Sequence, residues 1–87
     1  MEKSLFTREY KTFCRLLQES RKESGLSQVE LASRLRETQS EVSKFERGER
    51  RLDLVQLQRW CKALGVSLAD FVRRFEEQTK NVRRNPA

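Results

Sequence analysis

The stretch that decides the fold is Ser27–Gly48, SQVELASRLRETQSEVSKFERG, because it encodes two very short helices in succession. The spacing of a capping box, a hydroxyl residue followed three positions later by a glutamate, occurs twice, at Ser27 with Glu30 and at Thr38 with Glu41. These caps predict helices over about 28–35 and about 39–47. Each is shorter than the roughly 12–15 residues at which an isolated helix is marginal in water, so the two must pack together.

The short connection between these helices, residues 36–38, forces them to cross at a steep angle. Ala32 is small enough to permit a close crossing, and Val42 and Phe45 fill the angle behind the second of the two helices. The opposite face of that helix is polar and points outward, with Gln39, Ser40, Ser43, Lys44 and Arg47. A short helix with an exposed polar face fits a DNA major groove, which is about 12 Å wide.

Three further segments have apolar residues at helical spacing. The first segment ends near Ser24 and contains Tyr10, Phe13, Cys14 and Leu17. The second is capped by Asp53 and contains Leu54, Leu57, Trp60, Cys61 and Leu64. The third is capped by Ser67 and contains Leu68, Phe71, Val72 and Phe75. We therefore expect an all-α fold of five helices. Residues 10–77 should form one domain, with an N-terminal segment 1–9, in which the first helix can begin, and a basic, flexible tail 78–87.

The charge of the chain narrows the choice of partner. Its 87 residues carry a formal net charge of +6, which suits the phosphate backbone of a nucleic acid. A basic surface also suits a membrane surface or an acidic protein, so charge alone does not decide. No apolar run approaches the roughly 20 residues of a membrane span, and no signal peptide is evident, so we expect a cytoplasmic protein without a membrane partner.

Residues for catalysis or metal binding are scarce. The chain has no histidine, and its two cysteines, Cys14 and Cys61, match no metal-ligand spacing. No glycine-rich phosphate loop and no nucleophile with a neighbouring base occurs. We expect no enzymatic activity, no metal and no cofactor, and we expect both cysteines to be buried thiols.

Residues 26–35, 39–48 and 62–68 together resemble the lambda-repressor/Cro-like, or Xre-like, helix-turn-helix family, and the similarity extends over roughly residues 10–75. The resemblance implies five helices, the second and third forming the unit that reads DNA. It implies a sequence-specific transcriptional regulator, and we expect a repressor. The alternatives on the same fold are a protein-interaction module and an antitoxin-like regulator that binds both an operator and a partner protein.

The resemblance also implies residue roles. The positions that match base-reading residues are Gln39, Ser40, Ser43 and Lys44. Those that match phosphate-binding residues are Gln28, Arg47, Arg50 and Arg51. Gln28 matches a glutamine that often also supports the first base-reading residue. Arg21 and Glu46 match a pair of oppositely charged residues that ties the first helix to the end of the third.

A homodimer is expected, at least on DNA, because one short reading helix contacts too few base pairs to select a site. Two half-sites about 34–36 Å apart would double the contacts. Val72 and Phe75 are the candidate interface residues on the fifth helix. Phe75 can equally fold back onto Leu5 and Phe6, since periodicity does not separate a core stripe from an interface stripe.

Two residues depart from the family pattern. Arg36 occupies a turn position that usually holds glycine, so a left-handed backbone there would be strained by roughly 1–2 kcal/mol. Glu41 occupies a position where small hydroxyl residues are common. A carboxylate there would repel phosphate, although it could accept a hydrogen bond from cytosine N4.

Overall fold

Five helices make up the part of the chain that this computed structural model describes, residues 7–84, with side chains described as far as residue 80. They are α1 (Arg8–Glu23), α2 (Gln28–Leu35), α3 (Gln39–Glu46), α4 (Leu54–Leu64) and α5 (Leu68–Arg84). No strand occurs among these residues, so the all-α, five-helix prediction is confirmed. None of the helices, over the same residues, has the length and apolar character needed to span a bilayer.

Side-chain caps set where the helices begin. At α2 the predicted capping box is complete, with the Glu30 amide donating to Ser27 Oγ at 3.0 Å and the Ser27 amide donating to Glu30 Oε1 at 2.8 Å. At α3 only half of the predicted box forms. The Thr38 hydroxyl accepts from the Glu41 amide at 3.1 Å, but the Glu41 carboxylate pairs instead with Arg50. The prediction of a second box was therefore wrong, because the cationic side chain competes with the backbone amide for the carboxylate.

The core is centred on Trp60 of α4, which is 1% exposed and meets the Phe45 ring edge-on at 6.1 Å between centroids. Leucines of α1 and α2 surround it, together with Val42 and Cys61. Leu54, predicted to be part of the apolar stripe of α4, is 68% exposed instead. It is the first residue of α4, and helical side chains point back toward the N-terminus, so Leu54 projects beyond the helix end.

Helix α5 packs against α1 and extends further than the sequence predicts. Phe13 of α1 meets the rings of Phe71 and Phe75 edge-on at 5.9 and 6.2 Å. Farther along α5, Arg15 bonds Gln78, and Thr79 is 3% exposed. The helix therefore continues to Arg84, and the tail expected from residue 78 was placed too early.

The position of Phe75 follows from this packing. It is half-buried against the Phe13 ring, so part of its surface belongs to the contact between α1 and α5. Its alternative partners, Leu5 and Phe6, lie outside the described residues. Val72, one turn earlier on α5, is 38% exposed.

Candidate nucleic-acid interface

The turn between α2 and α3 is built around a left-handed residue. Arg36 has φ 59° and ψ 42°, the only positive φ of a non-glycine residue in the described chain. This conformation lets the amide of Glu37 donate to the carbonyl of Ala32 at 2.9 Å, which closes α2 and turns the chain sharply. The turn thus has the geometry that glycine would adopt without strain, and arginine adopts it nevertheless.

The turn directs the polar face of α3 away from the core. Val42, Phe45 and Glu46 are buried against the other helices. The four residues that match base-reading positions all lie on the accessible side of α3: Gln39 and Ser40 are exposed, and Ser43 and Lys44 are half-buried.

A chain of hydrogen bonds connects the first residue of α3 to the core. Gln39 Nε2 donates to Gln28 Oε1 at 2.6 Å, and Gln28 Nε2 donates to Glu46 Oε1 at 2.9 Å. Gln28 therefore contacts Gln39, as the resemblance implies, and its side-chain amide is engaged within the protein at both ends. The effect is to hold the Gln39 side chain in one orientation at the beginning of the exposed face.

Arg21 and Glu46 lie in direct contact beneath this face. Arg21 Nε and Nη2 donate to the two carboxylate oxygens of Glu46 at 2.7 and 3.1 Å. The side chains are only 10% and 1% exposed, and Arg21 Nη1 also donates to the Leu26 carbonyl at 3.0 Å. The pair links α1, the beginning of α2 and the end of α3, so a carboxylate near the candidate interface is turned inward.

Two arginines at the end of α3 and beyond it are paired with carboxylates of the same surface. Arg47 Nε and Nη2 each donate to a carboxylate oxygen of Glu49 at 3.0 Å, and Arg47 Nη1 donates to the Ser43 hydroxyl. The hydrogen bond between Arg47 and Glu49 raises the pKa of the guanidinium and lowers the pKa of the carboxyl. Arg50 pairs with Glu41, and its guanidinium lies 5.4 Å from the centroid of the Phe45 ring.

The third arginine of this cluster is supported by α1. The Arg51 guanidinium lies over the ring of Tyr10 at 4.4 Å, a cation–π contact that orients the side chain. Sequence reasoning assigned Tyr10 to the core face of the first helix and missed this role. Neither the contact with Tyr10 nor the partners of Arg47 and Arg50 could be read from periodicity, because all three arginines follow the last turn of α3.

Potential metal ligands are not clustered among the described residues. No group of acidic residues and cysteines there could hold a metal ion. Cys14 and Cys61 are buried free thiols, and burial raises the pKa of each, that of Cys61 to about 11.

Comparison with known proteins identifies the family. A helix-turn-helix family model matches residues 17–71, which include all of α2, α3 and α4. The chain belongs to the Cro/C1-type helix-turn-helix family. This makes it a DNA-binding regulator of the XRE type.

A solved structure supports the same assignment. The chain is similar to an XRE-family like protein from Pseudomonas syringae pv. tomato str. DC3000, with 38% sequence identity and a TM-score of 0.76. The match covers 82% of this chain and 87% of the other. The similarity that supports the fold and the family of this helix-turn-helix protein therefore extends over most of the chain. No curated protein matches it significantly.

Proposed function

We propose that this helix-turn-helix protein is a sequence-specific repressor that inserts α3 into the DNA major groove. The observation that supports this most is the accessible polar face of α3, bordered by arginines at its end and in the following loop. Bases are distinguished in the major groove by hydrogen-bond pattern, whereas phosphate contacts fix the register of the protein. A regulator bound to an operator that overlaps a promoter represses transcription, because it blocks access to the promoter.

We assign base reading to Gln39, Ser40, Ser43 and Lys44. A glutamine can form two hydrogen bonds with adenine, and a lysine can donate to guanine O6 and N7. The 2.6 Å hydrogen bond that Gln39 donates to Gln28 holds the Gln39 side chain before DNA arrives, which reduces the entropy lost on binding. We assign backbone contacts to Gln28, Arg47, Arg50 and Arg51.

Alanine substitutions on duplexes selected from a random pool test the proposal. Gln39→Ala and Lys44→Ala should each weaken binding to the selected site by about 1–3 kcal/mol if the contact is bidentate, and change binding to random DNA much less. Gln58→Ala, at an exposed position of α4, is the matched control and should leave both affinities unchanged. Equal losses on selected and random DNA would contradict base reading. Failure to enrich any duplex would favour a protein-interaction module instead.

We further propose that the repressor binds its operator as a homodimer through α5. The exposed Val72 lies on the outer side of that helix, and half-buried Phe75 continues the same stripe. A symmetric pair would place two α3 helices in successive major grooves on one side of the DNA, about 34–36 Å apart.

A further inference from the structure

Arg47 and Arg50, two of the arginines assigned to phosphate, already have anionic partners in the protein. Arg47 forms two 3.0 Å hydrogen bonds with Glu49, and both side chains are 52% exposed. Arg50 pairs with Glu41, with side chains 52% and 25% exposed. A phosphate could therefore reach either arginine from solvent, but it would find part of the guanidinium already bound to a carboxylate.

A carboxylate and a phosphate bind the same edges of a guanidinium. Both use parallel N–H donors of the planar fork, so one anion displaces the other from a shared edge. In Arg47 three of the five N–H groups are engaged: one on Nε and one on Nη2 by Glu49, and one on Nη1 by Ser43. A phosphate that binds the Nε–Nη2 edge must displace Glu49. The released carboxylate would then lie beside the polyanion and repel it.

We propose that Glu41 and Glu49 compete with DNA phosphate for Arg50 and Arg47 and so lower the affinity of this domain for the DNA backbone; this inference rests on the proposed function. The effect applies to any duplex, whatever its sequence. A protein whose backbone contacts are weakened in this way depends more on its base contacts to remain bound. Glu41, which departs from the family pattern, thus has a role that does not require it to touch a base.

The size of the effect follows from the strength of exposed ion pairs. Such a pair lowers affinity by between about 1.5-fold and about 5-fold when it must be broken. Removing the carboxylate should also let the freed arginine displace a full counterion from DNA. The slope of log K against log salt should therefore steepen by up to about 0.9 for each variant.

The experiment compares Glu41→Gln and Glu49→Gln with a control of equal charge change, on a random-sequence duplex across a salt series. Asp70→Asn removes an exposed acid that pairs with Arg73 on α5, outside the helix-turn-helix, and reports the general effect of one added positive charge. Each glutamine variant should gain about 1.5-fold to 5-fold in affinity beyond this control, with a steeper salt slope. Thermal unfolding of every variant checks that the fold is intact.

Removing the arginine tests whether the gain in DNA affinity depends on that arginine. Against an Arg50→Ala background, Glu41→Gln should gain no more than Asp70→Asn, and the same should hold for Glu49→Gln against Arg47→Ala. The inference would be overturned if the gain in affinity of a glutamine variant equalled that of Asp70→Asn in the unaltered background, or if the gain persisted without the arginine. A loss of affinity would also overturn it, because it would show that the carboxylates orient the arginines for DNA. If the unaltered protein showed no salt-dependent binding to any duplex, the proposed function itself would be contradicted.

Discussion

Arg36 shows how a single residue can retain a strained backbone inside a functional unit. Its φ of 59° is required by the sharp turn from α2 to α3, and a side chain with a Cβ adopts that conformation at a cost of roughly 1–2 kcal/mol. The departure from glycine that the sequence revealed therefore raises the energy of the turn, and the backbone at Arg36 is left-handed all the same.

Replacing Arg36 with glycine should stabilise the protein. We expect Arg36→Gly to raise the free energy of unfolding by roughly 1 kcal/mol, since relief of the strain exceeds the extra entropy of glycine in the unfolded chain. Arg36→Ala removes the same side chain but keeps the Cβ, and it should show no such gain. Urea denaturation of the three proteins measures the difference, and equal stabilities of the glycine and alanine variants would contradict the strain.

Cys61 should make the protein sensitive to alkaline pH. Burial raises the pKa of its thiol from 9.0 to about 11, so the folded state keeps the proton in a range where the unfolded state loses it. Below pH 9 the thiol is protonated in both states and the free energy of unfolding is unaffected by it. As the pH rises toward 11, the free energy of unfolding falls by up to roughly 2 kcal/mol, because only the unfolded state releases the proton. Denaturation at several pH values should show a flatter alkaline decline for Cys61→Ala. Parallel declines in the two proteins would contradict the assignment.

At the level of helices, the hydrogen-bond chain through Glu46 connects the core to Gln39 at the beginning of α3. Glu46→Gln leaves the Arg21 guanidinium buried without a carboxylate, so it should lower the free energy of unfolding by about 3 kcal/mol, the lower end of the range for such pairs. Glu49→Gln is the matched control: it disrupts an exposed pair and should change stability by less than about 1 kcal/mol. Thermal unfolding of the Glu46→Gln and Glu49→Gln variants measures the two losses of stability. An unchanged melting temperature for Glu46→Gln, with weaker DNA binding alone, would make Glu46 a residue of the interface.

The ends of the helices show what the sequence could and could not predict. The α2 range of Gln28–Leu35 agrees with prediction because the capping residues at its start are local signals. The end of α5 was missed because Gln78 bonds Arg15 of α1 and Thr79 is buried, and no local pattern carries that information. The partners of Arg47, Arg50 and Arg51 were missed for the same reason, since they depend on the course of the loop after α3.

At the scale of the molecule, the pairing of α1 with α5 limits which surface a second copy can use. Arg74 of α5 pairs with Glu23 at 3.0 Å, and Phe75 packs on Phe13, so one face of α5 is already occupied. Of the two residues predicted for the interface, Val72 has more of its surface available. Phe75 is a poor probe of dimerisation, because a charge there would also disturb the contact with α1.

Val72→Glu is therefore the substitution that tests the dimer. A glutamate there should leave the fold intact, since the position is exposed, but two copies would face each other with like charges in an apolar contact. We expect about a tenfold or greater loss of affinity for a palindromic site, with little change on a half-site. Val55→Glu, at an exposed position of α4, is the control and should keep the affinity of the unaltered protein.

Sedimentation of the complexes decides between the possible outcomes. Two copies on the palindrome with the unaltered protein, reduced to one with Val72→Glu, would support an interface on α5. Loss of the second copy with Val55→Glu but not with Val72→Glu would place the interface on α4. If one copy bound the half-site and adding the second half-site gave no gain in affinity, the homodimer itself would be excluded, and specificity would have to come from the base contacts of a single α3.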